Sequence, residues 1–324
     1  MSRQQRAEID AMVRRPRPEG PRSVEELRAG FRALMAGMIV PAGIRTRATT
    51  LGDRSAVLVE PVGAPEEPVG APEADTPGTG TPAGGTILYF HGGSYVAGSP
   101  ETAMSLTGNL VVRTGFRALS LDYRLAPEHP FPAAVEDGLN AYRALLDDGE
   151  DPAAIAFAGD SAGGGLTVTT CLAARDAGLP VPAAIVALSP GLDLTRTGRS
   201  MDDRADLDPF FTREGMERTG AMYLAGQDPR RPALSPAVYA DLTGFPPLLL
   251  QAGGNEMLLD DSTRLAARAR EAGVDVVLDV TADVPHVFQA FVGVLDEADQ
   301  ALERAALFLR QHLRTGSTAP APTS

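Results

Sequence analysis

The chain has 324 residues, of which 44% are hydrophobic, and it carries a formal net charge of -13. It can therefore bury a sizeable core in one large domain or two. The negative charge argues against sequence-independent binding to nucleic acids or anionic membranes, which depends on clustered cations, and favours a neutral or cationic small molecule as partner. No segment reaches the roughly 18 uninterrupted apolar residues of a membrane span, and the first residues lack the apolar core of a signal peptide, so we expect a soluble cytoplasmic protein.

Two helical patterns open the chain. The second begins at Ser23, where Glu26 three residues later completes a capping-box signature. Residues 44–60 then predict two extended segments. Residues 62–84 are rich in Pro, Gly and Thr, a composition that buries too little apolar surface to offset the entropy lost on ordering. We expect this stretch to be a mobile surface loop.

From residue 86 onward, short apolar runs alternate with amphipathic stretches of helical spacing. The runs that predict strands are 86–90, 117–121, 154–158, 183–188, 247–251 and 276–280. The stretches that predict helices are 133–146, 166–177 and 261–272. Strands separated by helices need crossover connections, so we predict an α/β fold with a mostly parallel sheet of about eight strands flanked by helices. Active sites in such sheets lie at the carboxyl ends of the strands.

The candidate nucleophile is the serine of a G-x-S-x-G pentapeptide, Gly159-Asp160-Ser161-Ala162-Gly163. The pentapeptide lies between a predicted strand and a predicted helix. A serine on such a sharp turn projects its hydroxyl away from the backbone, and the glycines permit the crowding that the turn requires. Ser161 is therefore placed where a nucleophile would act.

Two consecutive glycines, Gly92 and Gly93, follow the predicted strand at 86–90 and bring flexible amides to its carboxyl end. Acyl transfer needs preorganised N–H donors for the oxyanion that develops on the substrate. We expect the amides of Gly92 and Gly93 to serve as two of these donors, with the amide of Ala162 as the third. The alternative is a glycine turn that only lets the chain leave the sheet.

The candidate base is His286, which follows the last predicted strand in a turn before a helix and completes the chain order Ser, acid, His. Three carboxylates follow the strand at 247–251 and could be the acid. Glu256 comes first and so lies nearest the sheet edge, whereas Asp260 and Asp261 are placed to begin the next helix. We select Glu256, which would orient the imidazole and stabilise the imidazolium.

Cys171 is the only cysteine of the chain. An intramolecular disulfide and a multi-cysteine metal site are therefore impossible. Its apolar surroundings in the sequence predict a buried small hydrophobic residue and not a nucleophile.

Several motifs in order give the chain a resemblance to the hormone-sensitive-lipase-like (family IV) bacterial esterases of the α/β-hydrolase superfamily, over residues 86–312. The motifs are His91-Gly92-Gly93, Asp122-Tyr123-Arg124-Leu125-Ala126-Pro127-Glu128, the pentapeptide at Ser161, Ser189-Pro190, Asp193-Leu194, Asp208-Pro209-Phe210-Phe211-Thr212 and the turn at His286. The resemblance implies hydrolysis of short- to medium-chain carboxylic esters through an acyl-serine, without a cofactor or metal, and frequent dimerisation.

The resemblance also implies a division of the chain into a hydrolase core and a helical cap. Residues 1–40 are expected to form N-terminal cap helices, and residues 195–225 a second cap segment. The core is expected in two parts, residues 41–194 and 226–315. We expect a disordered tail at 316–324.

The chain departs from the family pattern at three positions. Ser94 replaces the third glycine of the oxyanion motif, which should matter little if Gly92 and Gly93 are the donors. Gly191 stands where an aromatic often follows the Ser-Pro pair, which predicts a wider acyl pocket. Glu256 stands where most members have aspartate, and the branch with glutamate resembles lactone hydrolases. A cyclic ester is therefore an alternative substrate.

A second class of function is a non-catalytic ligand receptor built on the same fold. Receptors of that kind resemble this family but lack the working histidine. Because His286 is present, the sequence favours the enzyme.

Overall fold

The computed structural model describes residues 2–14, 23–63 and 84–314. Most of the predicted loop at 62–84 and the predicted tail at 316–324 lie outside the described residues. Within them, no helix is both long enough and apolar enough to cross a membrane.

Eight strands of the described residues form one mixed sheet. They are β1 (Ile44–Leu51), β2 (Arg54–Pro61), β3 (Thr86–Phe90), β4 (Arg117–Leu121), β5 (Ile155–Asp160), β6 (Ala184–Leu188), β7 (Leu248–Gly253) and β8 (Val276–Thr281). Their spatial order is β1-β2-β4-β3-β5-β6-β7-β8. β1 pairs antiparallel with β2, and β2 with β4, whereas every pair from β4 to β8 is parallel. The predicted α/β architecture is confirmed.

The helices of the described residues connect these strands and extend from both ends of the chain. They are α1 (Ser2–Val13), α2 (Val24–Met35), α3 (Met104–Thr114), α4 (Ala133–Asp147), α5 (Ala162–Asp176), α6 (Ser200–Asp203), α7 (Arg213–Leu224), α8 (Pro236–Tyr239), α9 (Leu259–Glu271) and α10 (Asp296–His312). The predicted capping box begins α2, because Ser23 Oγ accepts from the amide of Glu26 and the Glu26 carboxylate accepts from the amide of Ser23. The three helices predicted between strands are α4, α5 and α9.

The core has two layers, one on each face of the sheet. Phe90 and Phe157 point to the face covered by α4 and α5, and their rings meet edge to face at 5.9 Å. The opposite face carries α3 and α10, where Leu106 and Leu309 are fully buried. Cys171 of α5 is fully buried in the first layer, as predicted. Both faces are therefore closed to solvent, and the strand ends are left for function.

The N-terminal helices attach to the core at two places. α1 packs through Ile9 and Val13 against the chain that follows β8 and against α10. α2 is tied down through Arg28, whose guanidinium donates to the carbonyl oxygens of Val96 and Ala126 and to the carboxylate of Glu128. Thus α2 is bonded to the loop that follows β3 and to the loop that follows β4.

The segment 195–225, for which a cap is predicted, contains α6 and α7. The ring of Tyr223 in α7 stacks on Tyr95 with 3.8 Å between the ring centroids. Tyr95 belongs to the loop after β3, so α2 and α7 meet the core at neighbouring positions.

Candidate active site

Ser161 lies at the junction of β5 and α5 with φ 53° and ψ -118°. A positive φ is strained for a side chain with a Cβ, and such strain persists only where the surrounding structure imposes it. Here the strained φ of Ser161 is imposed by close packing of the backbone around the turn. A Cβ placed on Gly163 would lie 2.0 Å from the carbonyl oxygen of Phe90, and one on Gly159 would lie 2.6 Å from the backbone of Gly163. The two glycines of the pentapeptide let this turn form.

His286 connects Ser161 to Glu256. Its Nε2 is 2.9 Å from Ser161 Oγ, and its Nδ1 is 2.5 Å from Glu256 Oε2. With the proton on Nδ1, as the neighbouring carboxylate favours, Nδ1 donates to Glu256 and Nε2 is free to accept from the serine hydroxyl. Glu256 is fully buried and His286 is 6% exposed, so water competes little for these hydrogen bonds. The structure thus brings the three candidate residues together in the predicted order.

The Glu256 carboxylate is held by its own strand end. Its Oε1 accepts from the amide of Gly253 at 3.0 Å, and the Ser189 side chain lowers the pKa of this carboxyl against the effect of burial. Ser189 Oγ in turn accepts from the amide of Val287, next to His286, at 3.0 Å. Asp208 Oδ2 accepts from the amide of Met257 at 2.8 Å.

Ser189 and Asp208 therefore fix the backbone next to His286 and next to Glu256, respectively. Both residues belong to motifs of the sequence, Ser189-Pro190 and Asp208-Pro209-Phe210-Phe211-Thr212, from which no role was predicted for either. The signal was available in those motifs, because a serine after a buried strand and an aspartate before an aromatic pair are short hydrogen-bonding side chains at chain turns.

Burial and charge act in opposite directions on this pair. Burial raises the pKa of Glu256, while the hydrogen bond and charge of His286 oppose that rise. Burial disfavours the imidazolium of His286, but the hydrogen bond and the charge of Glu256 outweigh it, so the pKa of His286 lies above its ordinary value. The carboxylate thereby stabilises the charge that the ring acquires when it takes a proton.

The expectation for Gly92 is corrected by the structure. Its amide donates to Asp160 Oδ1 at 3.1 Å and is therefore already engaged within the protein. The same carboxylate oxygen accepts from the hydroxyl of Tyr89 at 2.9 Å, and Asp160 is buried. Burial raises the pKa of Asp160 to about 6. The first glycine therefore anchors the turn, because its missing side chain lets the backbone approach Asp160.

The amides that have no acceptor begin one residue after Gly92. Within the described part of the chain, the amides of Gly93, Ser94 and Ala162 have no hydrogen-bond acceptor. Ser94 and Ala162 line the same pocket as Ser161. Ser94 has φ 57°, which a third glycine would adopt without strain. These three amides form the donor set that the geometry offers to an oxyanion.

The two other candidate acids are engaged elsewhere. Asp260 Oδ2 accepts from the amide of Ser200 at 3.1 Å. Asp261 Oδ2 accepts from the amides of Leu192 and Asp193 at 2.6 and 2.9 Å. Both carboxylates therefore support the chain after β6. Within residues 2–14, 23–63 and 84–314, no three His, Cys, Asp or Glu side chains are grouped as a metal site requires.

A pocket of about 410 Å³, counting its open mouth, lies over Ser161. Its walls come from the loops at the strand ends and from the segment 195–225, and they include Tyr95, Gly191, Leu194, Arg196, Phe211, Met216, Thr219 and Leu258. The Phe211 ring lies 4.7 Å from the His286 ring, centroid to centroid. A Cβ on Gly191 would lie 3.9 Å from Leu258, an ordinary van der Waals contact, so the backbone of Gly191 forms this part of the wall without a side chain.

Comparison with known proteins gives the same family. A family model described as the alpha/beta hydrolase fold matches residues 87–290. An acetyl-hydrolase of Streptomyces hygroscopicus is 46% identical over 227 residues, which are 70% of this chain and 76% of the relative. An esterase of Acinetobacter venetianus is 36% identical over 223 residues, covering 68% and 73%.

Solved structures agree over nearly the whole length. A crystal structure of an esterase from the bacterial hormone-sensitive lipase family superposes with a TM-score of 0.87 at 40% identity, covering 96% of this chain and 99% of the other. The esterase EstE5, from a crystal soaked with p-nitrophenyl butyrate, superposes with a TM-score of 0.85 at 38% identity, covering 95% and 98%. The chain therefore belongs to the α/β-hydrolase family, among the esterases of the bacterial hormone-sensitive lipase type.

Proposed function

We propose that this protein is a serine carboxylesterase that hydrolyses short- to medium-chain carboxylic esters through an acyl-serine. Ser161 is the nucleophile, His286 the base and Glu256 the acid. The observation that carries the proposal is the 2.9 Å contact between Ser161 Oγ and His286 Nε2, with His286 Nδ1 2.5 Å from Glu256. The relative soaked with p-nitrophenyl butyrate supports an ester as the substrate.

In the first half of the reaction, Ser161 Oγ attacks the ester carbonyl carbon while its proton passes to His286 Nε2. The charge of Glu256 stabilises the resulting imidazolium. The amides of Gly93, Ser94 and Ala162 donate to the oxyanion, and the two last-named lie on the pocket wall. When the tetrahedral intermediate collapses, the C–O bond to the alcohol breaks, and the imidazolium returns its proton to the departing alkoxide.

In the second half, water takes the place of the alcohol. His286 removes a proton from the water as it attacks the acyl-serine, and the same amides hold the second oxyanion. The bond to Ser161 Oγ then breaks, and the serine regains its proton from His286. The products are the carboxylic acid and the free enzyme.

We also propose that residues 1–40 and 195–225 act as the cap over the two parts of the core. Support comes from Phe211, Met216 and Thr219, which close the pocket from the side of the segment 195–225. A homodimer, a bacterial source and a cytoplasmic location are expected from the sequence and stay predictions.

A cyclic ester is the alternative substrate, since the acid is a glutamate and Gly191 puts no side chain on the pocket wall. Ring opening of a lactone would use the same residues in the same steps. A series of p-nitrophenyl esters of increasing acyl length, assayed beside a panel of lactones, distinguishes the two.

The assignment is tested by Ser161→Ala with Ser55→Ala as control, since Ser55 is exposed on β2. We expect kcat for p-nitrophenyl butyrate to fall by roughly 10⁴-fold or more in the first variant, with an unchanged circular dichroism spectrum, and to stay at the wild-type value in the second. A fluorophosphonate should label the wild type at Ser161. Turnover retained by Ser161→Ala would refute the assignment.

A further inference from the structure

Arg196 is a charged residue on the pocket wall. It lies in the loop between β6 and α6 and lines the pocket together with Ser161. Its backbone has φ 55°, in the left-handed region that non-glycine residues rarely occupy. Its side chain is partly buried. Backbone strain of this kind is concentrated at functional sites, because it must be imposed by the surrounding fold.

The guanidinium of Arg196 lacks a direct partner. Within the described part of the chain it forms no ion pair and no side-chain hydrogen bond. An arginine stays protonated in proteins and offers five N–H donors. Burial makes such a charge costly unless something pairs with it. The charged groups that act on it most are the carboxyls of Asp261 and Asp193 and, with the opposite sign, Arg213.

Asp193 does not balance this charge, because it is already engaged. Its Oδ2 accepts from Arg264 Nη1 at 2.9 Å and from the amide of Thr197 at 3.1 Å. Its Oδ1 accepts from the amide and the hydroxyl of Thr195. The carboxylate of Asp193 is therefore already paired with Arg264 and hydrogen-bonded to Thr195 and Thr197.

Asp261 balances the charge only in part. Its Oδ2 accepts from two backbone amides, and burial raises its pKa to about 7 despite the nearby Arg196. This carboxyl is therefore already hydrogen-bonded to the backbone of the chain after β6, and it forms no ion pair with Arg196. Neither carboxylate pairs directly with the guanidinium, so Arg196, which lines the pocket together with Ser161, keeps its N–H donors available.

We propose that Arg196 selects esters that carry a carboxylate a few bonds from the carbonyl that Ser161 attacks. The inference rests on the proposed esterase function and specifies its substrate class. The planar fork of a guanidinium matches a carboxylate with two parallel hydrogen bonds. The apolar side chains of Leu194, Met216 and Leu258 line the same pocket and weaken the screening of that pair. A neutral ester of equal size would leave the guanidinium without its partner.

The net charge of -13 does not oppose this selection. Exposed charges are screened beyond about 8 Å at physiological ionic strength. The distant carboxylates therefore influence the rate of encounter, while the groups in the pocket decide which substrate is held.

The test compares each enzyme on two pairs of esters that match in shape. Monoethyl succinate and ethyl 4-oxopentanoate place the carboxylate or its neutral counterpart on the acyl side, and 4-acetoxybenzoate and 4-acetoxyacetophenone place it on the alcohol side. For Arg196→Gln we expect the ratio of kcat/KM, anionic over neutral, to fall by about tenfold or more in one pair, mainly through KM. Arg196→Lys keeps the charge but cannot form the two parallel hydrogen bonds of a guanidinium. Its ratio should lie between those of the wild type and Arg196→Gln.

Arg199→Gln is the matched control. It removes the same charge three residues away, from a side chain that is 88% exposed, and should leave both ratios at the wild-type value. Unchanged ratios in Arg196→Gln would overturn the inference. An equal loss of activity on the anionic and neutral esters would also overturn it, because Arg196 would then act by holding Asp261 and its surroundings in place and not by binding substrate. Should Arg196→Gln not fold, the wild-type ratios decide, because a preference for the neutral ester in both pairs contradicts the proposal.

The failure of the proposed function looks different. If no ester of the four is hydrolysed in a manner that depends on Ser161, the esterase assignment itself fails. If all are hydrolysed and Arg196→Gln leaves the ratios unchanged, only the substrate selection fails.

Discussion

The amide of Gly92 donates a hydrogen bond to Oδ1 of Asp160 over 3.1 Å. This bond joins the loop after β3 to the residue that precedes Ser161. Since the same oxygen also accepts from buried Tyr89, the turn with the candidate oxyanion donors and the turn with the nucleophile are held in one geometry before substrate arrives. Donors positioned in advance pay no reorganisation cost during the reaction.

Gly92→Ala should disturb both turns. The added Cβ would lie 2.2 Å from Asp160 Oδ2 and 3.2 Å from the Asp160 carbonyl oxygen. We expect a loss of about 1–3 kcal/mol in the free energy of unfolding and a lower kcat, measured by urea denaturation and by p-nitrophenyl butyrate hydrolysis. Gly37→Ala is the control, because its Cβ would meet its nearest neighbour at 3.5 Å. Equal free energies of unfolding in the two variants would show that the close contact between Gly92 and Asp160 does not constrain the fold.

Glu256→Gln should lower kcat by about 10²–10⁴-fold with little change in KM. The amide is nearly the same size, but it lacks the charge that stabilises the imidazolium, and its NH₂ group can hold the ring in the wrong tautomer. Glu256→Asp keeps the charge at a greater distance from His286 and should be less damaged. The measurement is kcat at a pH where wild-type activity is maximal. A Gln variant as active as the wild type would exclude Glu256 as the acid.

Activity should rise with pH through the pKa of His286, because only the neutral ring can accept the proton of Ser161. Glu256 holds that pKa above the ordinary 6.5. The acidic limb of the kcat/KM profile, which reports the free enzyme, should therefore have its midpoint above 6.5 in the wild type. In Glu256→Gln, burial acts without the opposing charge, so the midpoint should move to lower pH. A midpoint that does not move in Glu256→Gln would show that the acidic limb does not report the ionisation of His286.

Arg28→Ala should loosen α2 from the core. It removes a guanidinium that donates to two carbonyl oxygens and to Glu128. We expect a loss of roughly 1–2 kcal/mol in stability, since bonds to backbone carbonyls add to a partly exposed ion pair, together with a higher KM. Arg32→Ala, one turn along the same helix and exposed, should change neither quantity. Thermal unfolding and ester kinetics of the two variants make the comparison.

The order of strands and helices could be predicted because apolar periodicity is a local property of the chain. The C-terminal end of β5 shows the limit of this local pattern. The pattern predicted its end at Ala158, whereas β5 continues through Asp160 to the residue before Ser161. Glycine and aspartate do not read as a strand, and the pairing of Asp160 with Leu188 of β6 decides the matter.

The triad was predicted from chain order, since each member follows a different strand. The amides without an acceptor begin one residue later than predicted, because the direction of an amide depends on the φ and ψ of the glycine turn and on Asp160, which the sequence does not place beside it. Ser94 was accordingly undervalued. Arg196 was passed over for a related reason: a net charge is a sum over the whole chain and gives no information about the sign inside one pocket.

The complete burial of Cys171 has a practical consequence. Its burial also raises the pKa of the thiol, so a reactive thiolate is scarce at working pH. Because the chain has no other cysteine, maleimide dyes should ignore the native protein. Cysteines introduced on the exposed sides of α2 and α7 would then be the sole labelling points, and fluorescence transfer between them could follow movement above the pocket during turnover.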